Sequence, residues 1–227
     1  MVNLAAFAVD DKVGVDCSGR RDAMNNDEIE QMKAQFCQLL RGTERPGVEA
    51  VLAQLEALGF FTAPASTRFH GAEPGGLLQH SLNVCQEAML IRLMQIRLRP
   101  EVETLVPEAS VVIATLLHDV CKAEVYKQEI RHRKNAQGRW EDYLGYTADY
   151  SSFPMGHGEK SVVQLMRWGL ELTEAEMLAI RWHMGAFNVP FQSPEENNCL
   201  SQAKEKHPLV PIVSAADSLA SYVLEVR

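Results

Sequence analysis

A basic and an acidic residue are adjacent at the end of an apolar run. The run "ASVVIATLL" ends at Leu117 and is followed by His118 and Asp119, with Lys122 three residues further on. An apolar run predicts burial, and a buried imidazole beside a buried carboxylate costs several kcal/mol unless each group has a partner. Some further group must therefore satisfy both side chains.

Other residues that can bind a metal occur in apolar surroundings elsewhere in the chain. They are His80 in "GGLLQHSLNV", His157 in "PMGHGEKS", His183 in "AIRWHMG" and Asp217 in "VSAADSLA". Taken alone, a histidine on a helix is more often a hydrogen-bonded residue than a ligand, and an aspartate is more often a cap. Asp217 is harder to explain in this way, because an unpaired carboxylate within an apolar helix is costly. Imidazole and carboxylate ligands together suit divalent first-row transition metals. Ligands from separate helices can converge on such a metal in the core of a bundle.

The segments that carry these residues predict a mostly α-helical protein. Apolar residues recur at helical spacing in "NDEIEQMKAQFCQLL", and "PGVEAVLAQLEALG" begins with proline and ends with glycine. Five later segments have helical length or spacing, and they contain the candidate ligands. Residues 125–150 differ, because two strand-like segments flank the polar turn "NAQG". This pattern predicts one β-hairpin insertion.

The composition limits the class of protein. The 227 residues are 46% hydrophobic and 23% charged, which is typical of a soluble globular chain with one substantial core. The net charge of −8 argues against a protein that coats long duplex nucleic acid. Five scattered cysteines with no C-x-x-C pair favour a reducing, cytoplasmic compartment. No stretch reaches the roughly 20 apolar residues that span a bilayer, so no membrane insertion is expected.

The order of the candidate ligands resembles that of the HD-domain metal-dependent phosphohydrolases, whose pattern is a histidine, then His-Asp, then a distal aspartate. Here the pattern reads His80, His118-Asp119 and Asp217. The stretches "GGLLQHSL", "HDVCK" and "GHGEKS" are most similar to the branch that includes phosphodiesterases and 3′-to-5′ exoribonucleases. The resemblance implies an HD-domain helical bundle, with the hairpin inserted at about 125–150.

Three parts of the chain are predicted from the pattern and the resemblance together. Residues 1–26 would form a flexible N-terminal segment. Residues 27–74 would form helices and a loop that pack on the core, and residues 75–227 would form the HD domain.

The resemblance also implies a role for each ligand. A first metal ion would be held by four residues: His80, His118, Asp119 and Asp217. A second ion would share Asp119 as a bridge and would be completed by His157 and His183. Both would be divalent transition metals such as Mn, Fe, Ni, Co or Zn.

The activity implied by the resemblance is hydrolysis of a phosphoester. Two metal ions can acidify a water to hydroxide and bind the phosphoryl oxygens, with Asp119 between them. Lys122 would add positive charge at the phosphate or its leaving group. Alternatively, Lys122 is an exposed lysine that compensates a helix C-terminus. The acidic net charge favours a nucleotide or a short oligonucleotide as the substrate.

Two other functions fit the same ligands. A few HD-domain relatives hold two irons and oxidise a substrate with dioxygen. A non-catalytic regulatory module would use the metals for structure or to hold a nucleotide. Metal content, a requirement for dioxygen and turnover on a phosphoester would separate these hypotheses.

Basic residues outside the ligand set are candidates for substrate binding. Arg68 and His70 lie in the loop "STRFHGAEPGG", where they would bind a phosphate or only hold the loop. In the hairpin, strand alternation places Arg131 and Arg133 on one face. That face would contact a polyanion, or would be a solvated edge strand protected by its charges. The sequence leaves the oligomeric state open, including a homo-oligomer.

Overall fold

The computed structural model describes residues 24–67, 71–135, 137–189 and 193–226. Residues 1–23, which include most of the predicted flexible segment, lie outside the described residues, and so do Arg68 and His70. The α-helices within the described ranges are α1 (Asn26–Arg41), α2 (Val48–Ala57), α3 (Gly76–Leu98), α4 (Val102–Leu105), α5 (Glu108–Leu117), α6 (Lys122–Val125), α7 (His157–Arg167), α8 (Glu174–Arg181), α9 (Pro194–Lys206) and α10 (Leu209–Leu219).

The hydrophobic core lies between α3, α5, α8 and α10, which pack on one another. Each helix contributes fully buried aliphatic side chains, for example Leu78, Ile113, Ile180 and Val213. In α5 every residue from Ser110 to Leu117 is buried, which explains why its sequence is apolar on all faces. The prediction of a mostly helical fold is confirmed.

The N-terminal helices are joined to the core by a partly buried ion pair. Arg45 lies between α1 and α2, and its guanidinium donates to both carboxylate oxygens of Glu176 in α8 at 2.8 and 2.9 Å. Glu176 is fully buried and also caps the start of α8 through a reciprocal pair of hydrogen bonds with Thr173. Removal of Arg45 would leave this carboxylate uncompensated in the core. The division of the chain at residue 75 stays a prediction.

One antiparallel hairpin interrupts the helices, as predicted. It consists of β1 (Tyr126–Lys134) and β2 (Trp140–Ala148), with Ile130 opposite Leu144. Gly138 lies in the connecting turn with φ +75°, a left-handed conformation that glycine adopts at low cost. The predicted insertion at about 125–150 is therefore confirmed.

The longest of the described helices, α3, has 23 residues and carries several charged side chains. Among the residues that the structure describes, no helix combines the length and the apolar character required to span a bilayer.

Candidate metal centre

Five segments bring the six predicted ligands together at the centre of the bundle. The ligands and their positions are His80 in α3, His118 at the end of α5, Asp119 in the turn before α6, His157 as the first residue of α7, His183 just after α8, and Asp217 in α10. The sequence placed these residues in separate apolar segments, and the fold brings them into contact.

The first cluster consists of His80, His118 and Asp119, which offer ligand atoms that all lie within 4.8 Å of one another. Nε2 of His118 is 3.1 Å from Oδ2 of Asp119 and 3.3 Å from Nε2 of His80. Asp217 adjoins this cluster, with its Oδ1 3.2 Å from Nε2 of His80. All four side chains are buried.

The second cluster consists of Asp119, His157 and His183. The Nε2 atoms of the two histidines are 3.1 Å apart. Oδ1 of Asp119 is 3.5 Å from Nε2 of His183 and 4.0 Å from Nε2 of His157. His183 is buried, whereas the side chain of His157 is 27% exposed. The second cluster is therefore accessible to solvent on the side of His157.

Backbone carbonyls fix the ring proton of one histidine in each cluster. Nδ1 of His118 lies 2.7 Å from the carbonyl oxygen of Thr115, and Nδ1 of His183 lies 2.7 Å from that of Ile180. Because a carbonyl oxygen can only accept, Nδ1 must be the donor in both rings. When either ring is neutral, its Nε2 lone pair therefore points into its cluster.

The third fixed ring, His80, has a carboxylate as its partner. Nδ1 of His80 lies 3.1 and 3.2 Å from the two carboxylate oxygens of Glu225. Sequence reasoning missed Glu225, because it lies at the end of the last predicted helical segment and belongs to no motif. Its spacing from Asp217, about two helical turns, was the one signal that could have identified it.

The two clusters thus bring many hydrogen-bond acceptors close together. The carboxylate of Asp119 faces Nε2 atoms on both sides, and its Oδ1 is buried without a hydrogen bond from the described residues. Two nitrogen lone pairs about 3 Å apart repel each other unless a proton or a metal cation lies between them. The ring nitrogens and carboxylate oxygens are the donor set that divalent transition metals prefer. The residues therefore fit a bound metal, and these buried groups could hold one.

The protonation states of the rings differ between the two clusters. Burial lowers the pKa of His183 to about 3 and also lowers the pKa of His157, so both rings stay neutral near neutral pH. Burial also opposes a charge on His80, but hydrogen bonds to Asp217 and Glu225 outweigh this and raise its pKa to about 9. In the metal-free protein a proton on His80 takes the place of a cation, and a metal ion must displace that proton.

Asp119 is held ionised. Burial alone favours its neutral form, yet the nearby Lys122 and His118 keep the pKa of this carboxyl well below its usual range. Nζ of Lys122 lies 2.5 Å from Oδ2 of Asp119. The carboxylate is therefore available to a metal ion at any pH near neutral.

Gly158 and Cys121 help to place the second cluster next to Asp119. A Cβ at Gly158 would lie 2.5 Å from the carbonyl oxygen of Arg181, so only glycine lets α7 approach the end of α8 this closely. The thiol of Cys121 donates to the carbonyl oxygen of His157 at 3.3 Å. Burial raises the pKa of Cys121 to about 12, which keeps the thiol protonated as a donor.

The basic residues of the hairpin pair with acidic neighbours. Nε of Arg131 is 2.8 Å from Oε1 of Glu129, and Nε of Arg133 is 2.7 Å from Oε1 of Glu141. The predicted common face of β1 is therefore partly neutralised within the hairpin. Substrate binding by Arg131 and Arg133 stays a prediction, as does substrate binding by Arg68 and His70.

Comparisons with protein-family models, with curated proteins and with solved structures found no match. The helical fold and the buried His/Asp clusters fit a site of HD type, and they do not by themselves identify the family.

Proposed function

We propose that this chain is a metal-dependent phosphohydrolase that cleaves a phosphoester of a nucleotide or of a short nucleic acid. The observation that carries the proposal is the convergence of imidazole Nε2 atoms from four histidines on the two oxygens of Asp119, in a buried space with Lys122 beside it. A structural metal site normally closes its coordination with four protein ligands around one ion. Two clusters that share one carboxylate are better suited to a pair of ions that act on a substrate.

The two carboxylate oxygens of Asp119 face different clusters. Oδ2 is 3.1 Å from Nε2 of His118, whereas Oδ1 is 3.5 Å from Nε2 of His183. The first cluster with Asp217 would hold one divalent ion, and the second cluster would hold another. Ions bound there would supply acidity to a water molecule near neutral pH and positive charge to the phosphoryl oxygens.

Lys122 supplies a positive charge that does not depend on a metal. Burial disfavours its charged form, but the adjacent Asp119 outweighs burial and raises the pKa of this lysine, so the ammonium persists. The side chain is 15% exposed, and its ammonium contacts the buried carboxylate of Asp119. In this position it would stabilise charge that develops on a phosphoryl group or a leaving oxygen.

The substrate class rests on two arguments. The motifs that resemble HD phosphohydrolases favour a phosphoester, and the net charge of −8 disfavours a long duplex. Solvent reaches the second cluster beside His157, which favours a substrate that approaches the ions from that side.

The test combines metal analysis with a hydrolysis screen. Freshly purified protein is analysed for metals and then incubated with mononucleotides, cyclic dinucleotides and short RNA or DNA, with and without added manganese. Metal-dependent hydrolysis that disappears in Asp119→Ala is the expected result, and Asp142→Ala in the exposed part of the hairpin is the matched control. Iron with dioxygen consumption would indicate an oxygenase, and bound metal without turnover would indicate a binding module. A chain that binds no metal under any condition would contradict the proposal.

A further inference from the structure

Glu225 lies behind His80, on the side of the ring that faces away from the first cluster. Its two carboxylate oxygens are 3.1 and 3.2 Å from Nδ1, while Nε2 of the same ring faces His118 and Asp217. The two residues are 145 positions apart in the chain, so the fold, and not local sequence, brings the carboxylate to the ring. His80 is thus held between a carboxylate on each side.

A π-helical turn brings Glu225 to this position. After α10, residues Ala220–Leu224 form the π-helix, and the N–H of Glu225 donates to the carbonyl oxygen of Ala220 at 3.0 Å. A turn closed five residues back contains about one residue more than an α-helical turn, and such turns are frequent at functional sites. The wider turn allows Asp217 and Glu225 to reach the same imidazole from one continuous element.

The carboxylate of Glu225 is also fixed from a second side. Nδ2 of Asn83, which lies one turn after His80 in α3, donates to Oε1 at 2.8 Å. The side chain of Glu225 is only 7% exposed. A buried carboxylate is costly without such hydrogen bonds, and here the donors orient it onto the ring.

We propose that Glu225 is a positioning residue for the first metal site. It holds the proton of His80 on Nδ1, directs the Nε2 lone pair towards the ion and makes that nitrogen a stronger donor. The inference rests on the proposed function, because it presumes an ion at the first cluster. The Nδ1 atoms of His118 and His183 face uncharged backbone carbonyls three residues earlier in the chain, so the partner of His80 differs from theirs by a full negative charge.

The loss of such a partner should weaken the metal site without removing a ligand. In metal sites, removal of a residue that hydrogen-bonds a ligand lowers metal affinity by about 10- to 100-fold. We expect this loss at the first site in Glu225→Ala. Glu225→Gln should lose less, because its amide oxygen can still accept from Nδ1 but lacks the charge. Glu205→Gln, at an exposed position of α9, removes the same charge far from the ring and should match the wild type.

The experiment measures binding and not turnover. Cobalt(II) and zinc(II) are titrated against a competing chelator, and the visible absorption of the cobalt form reports the geometry of the bound ion. Nitrogen NMR of histidine-labelled, zinc-loaded protein shows which nitrogen of His80 carries the proton. We expect weaker cobalt binding, altered cobalt bands and loss of the fixed Nδ1 proton in Glu225→Ala. Thermal unfolding followed by circular dichroism confirms that each variant is folded, and Glu225→Gln keeps the test decisive if Glu225→Ala does not fold.

Three results would overturn the positioning role. If both Glu225 variants bind cobalt with wild-type affinity and spectrum, Glu225 only anchors the C-terminal turn, and the proposed function is unaffected. If Glu225→Ala weakens both metal sites equally, the effect is a general disturbance of the fold. If the wild type binds neither metal, the proposed function fails first, and the positioning role fails with it.

Discussion

The two clusters share one carboxylate but differ in their surroundings. The first is buried on all sides, adjoins a second carboxylate, Asp217, and has Glu225 behind one of its rings. The second has Asp119 as its single carboxylate and includes a histidine that is 27% exposed. Because the second carboxylate, Asp217, favours a cation in the first cluster and burial limits exchange with solvent, its ion should bind more tightly and exchange more slowly. The second cluster is better placed to exchange ligands with solvent and to contact a substrate.

The largest effect is expected from the residue that the two clusters share. Asp119→Ala removes Oδ2 from the first cluster and Oδ1 from the second, so neither ion should bind tightly. Elemental analysis of folded, monodisperse protein should show loss of both metals, with circular dichroism as the folding control. One ion retained at wild-type affinity would show that Asp119 does not bridge.

A more selective change should separate the clusters. The double variant His157→Ala/His183→Ala removes both imidazoles of the second cluster and should retain one ion per chain. Removal of His80 or Asp217 should instead weaken the first ion more than the second, as metal titrations can show. If the His157/His183 variant keeps the wild-type metal count, the two-ion hypothesis is wrong. A mononuclear site of His80, His118, Asp119 and Asp217 then takes its place.

Lys122 should affect turnover and leave metal content unchanged. Lys122→Ala removes the ammonium beside Asp119, and turnover should fall about 100-fold if that charge stabilises the transition state. Metal content should stay near that of the wild type, because no ligand is removed. Lys127→Ala in the hairpin is the matched control, since that lysine is exposed and pairs with Asp149. Unchanged turnover in Lys122→Ala would identify it as a partner of Asp119 only.

The smallest effect is expected from the hairpin, whose basic residues belong to neither cluster. Reversal of Arg131 and Arg133 to glutamate should raise KM more than it lowers kcat, and the effect should shrink at high salt. The ion pairs with Glu129 and Glu141 limit the free positive charge, so a change of a few-fold is expected. Reversal of Lys204 and Lys206 in α9 is the control. Wild-type kinetics in the hairpin variant would leave the hairpin as a scaffold.

Sequence periodicity identified seven of the described helices and the hairpin because burial leaves a regular pattern of apolar residues. It did not identify the short helices α4 and α6, nor α9, in which only Leu200 and Ala203 are buried. The same reasoning found His118, Asp119 and Asp217, since each places a polar group in an apolar run where it needs a partner. It did not find Glu225, because hydrophobic periodicity shows which face of a helix is buried and not what contacts that face. For the same reason, the cross-strand pairing of Arg133 with Glu141 was visible only once the register was known. The enzymatic activity, the substrate and the three-part division of the chain stay predictions.

The shared carboxylate of Asp119 also makes the two binding equilibria interdependent. By thermodynamic linkage, the factor by which one ion alters the affinity for the other is the same in both directions. An ion held by the first cluster would offset the charge of Asp119 and would add positive charge near the second cluster, where a buried environment screens charge poorly. We therefore expect negative cooperativity, in which the first ion binds at low metal concentration and the second binds only at a higher one. The metal supply of the cell would then set the fraction of chains that hold both ions.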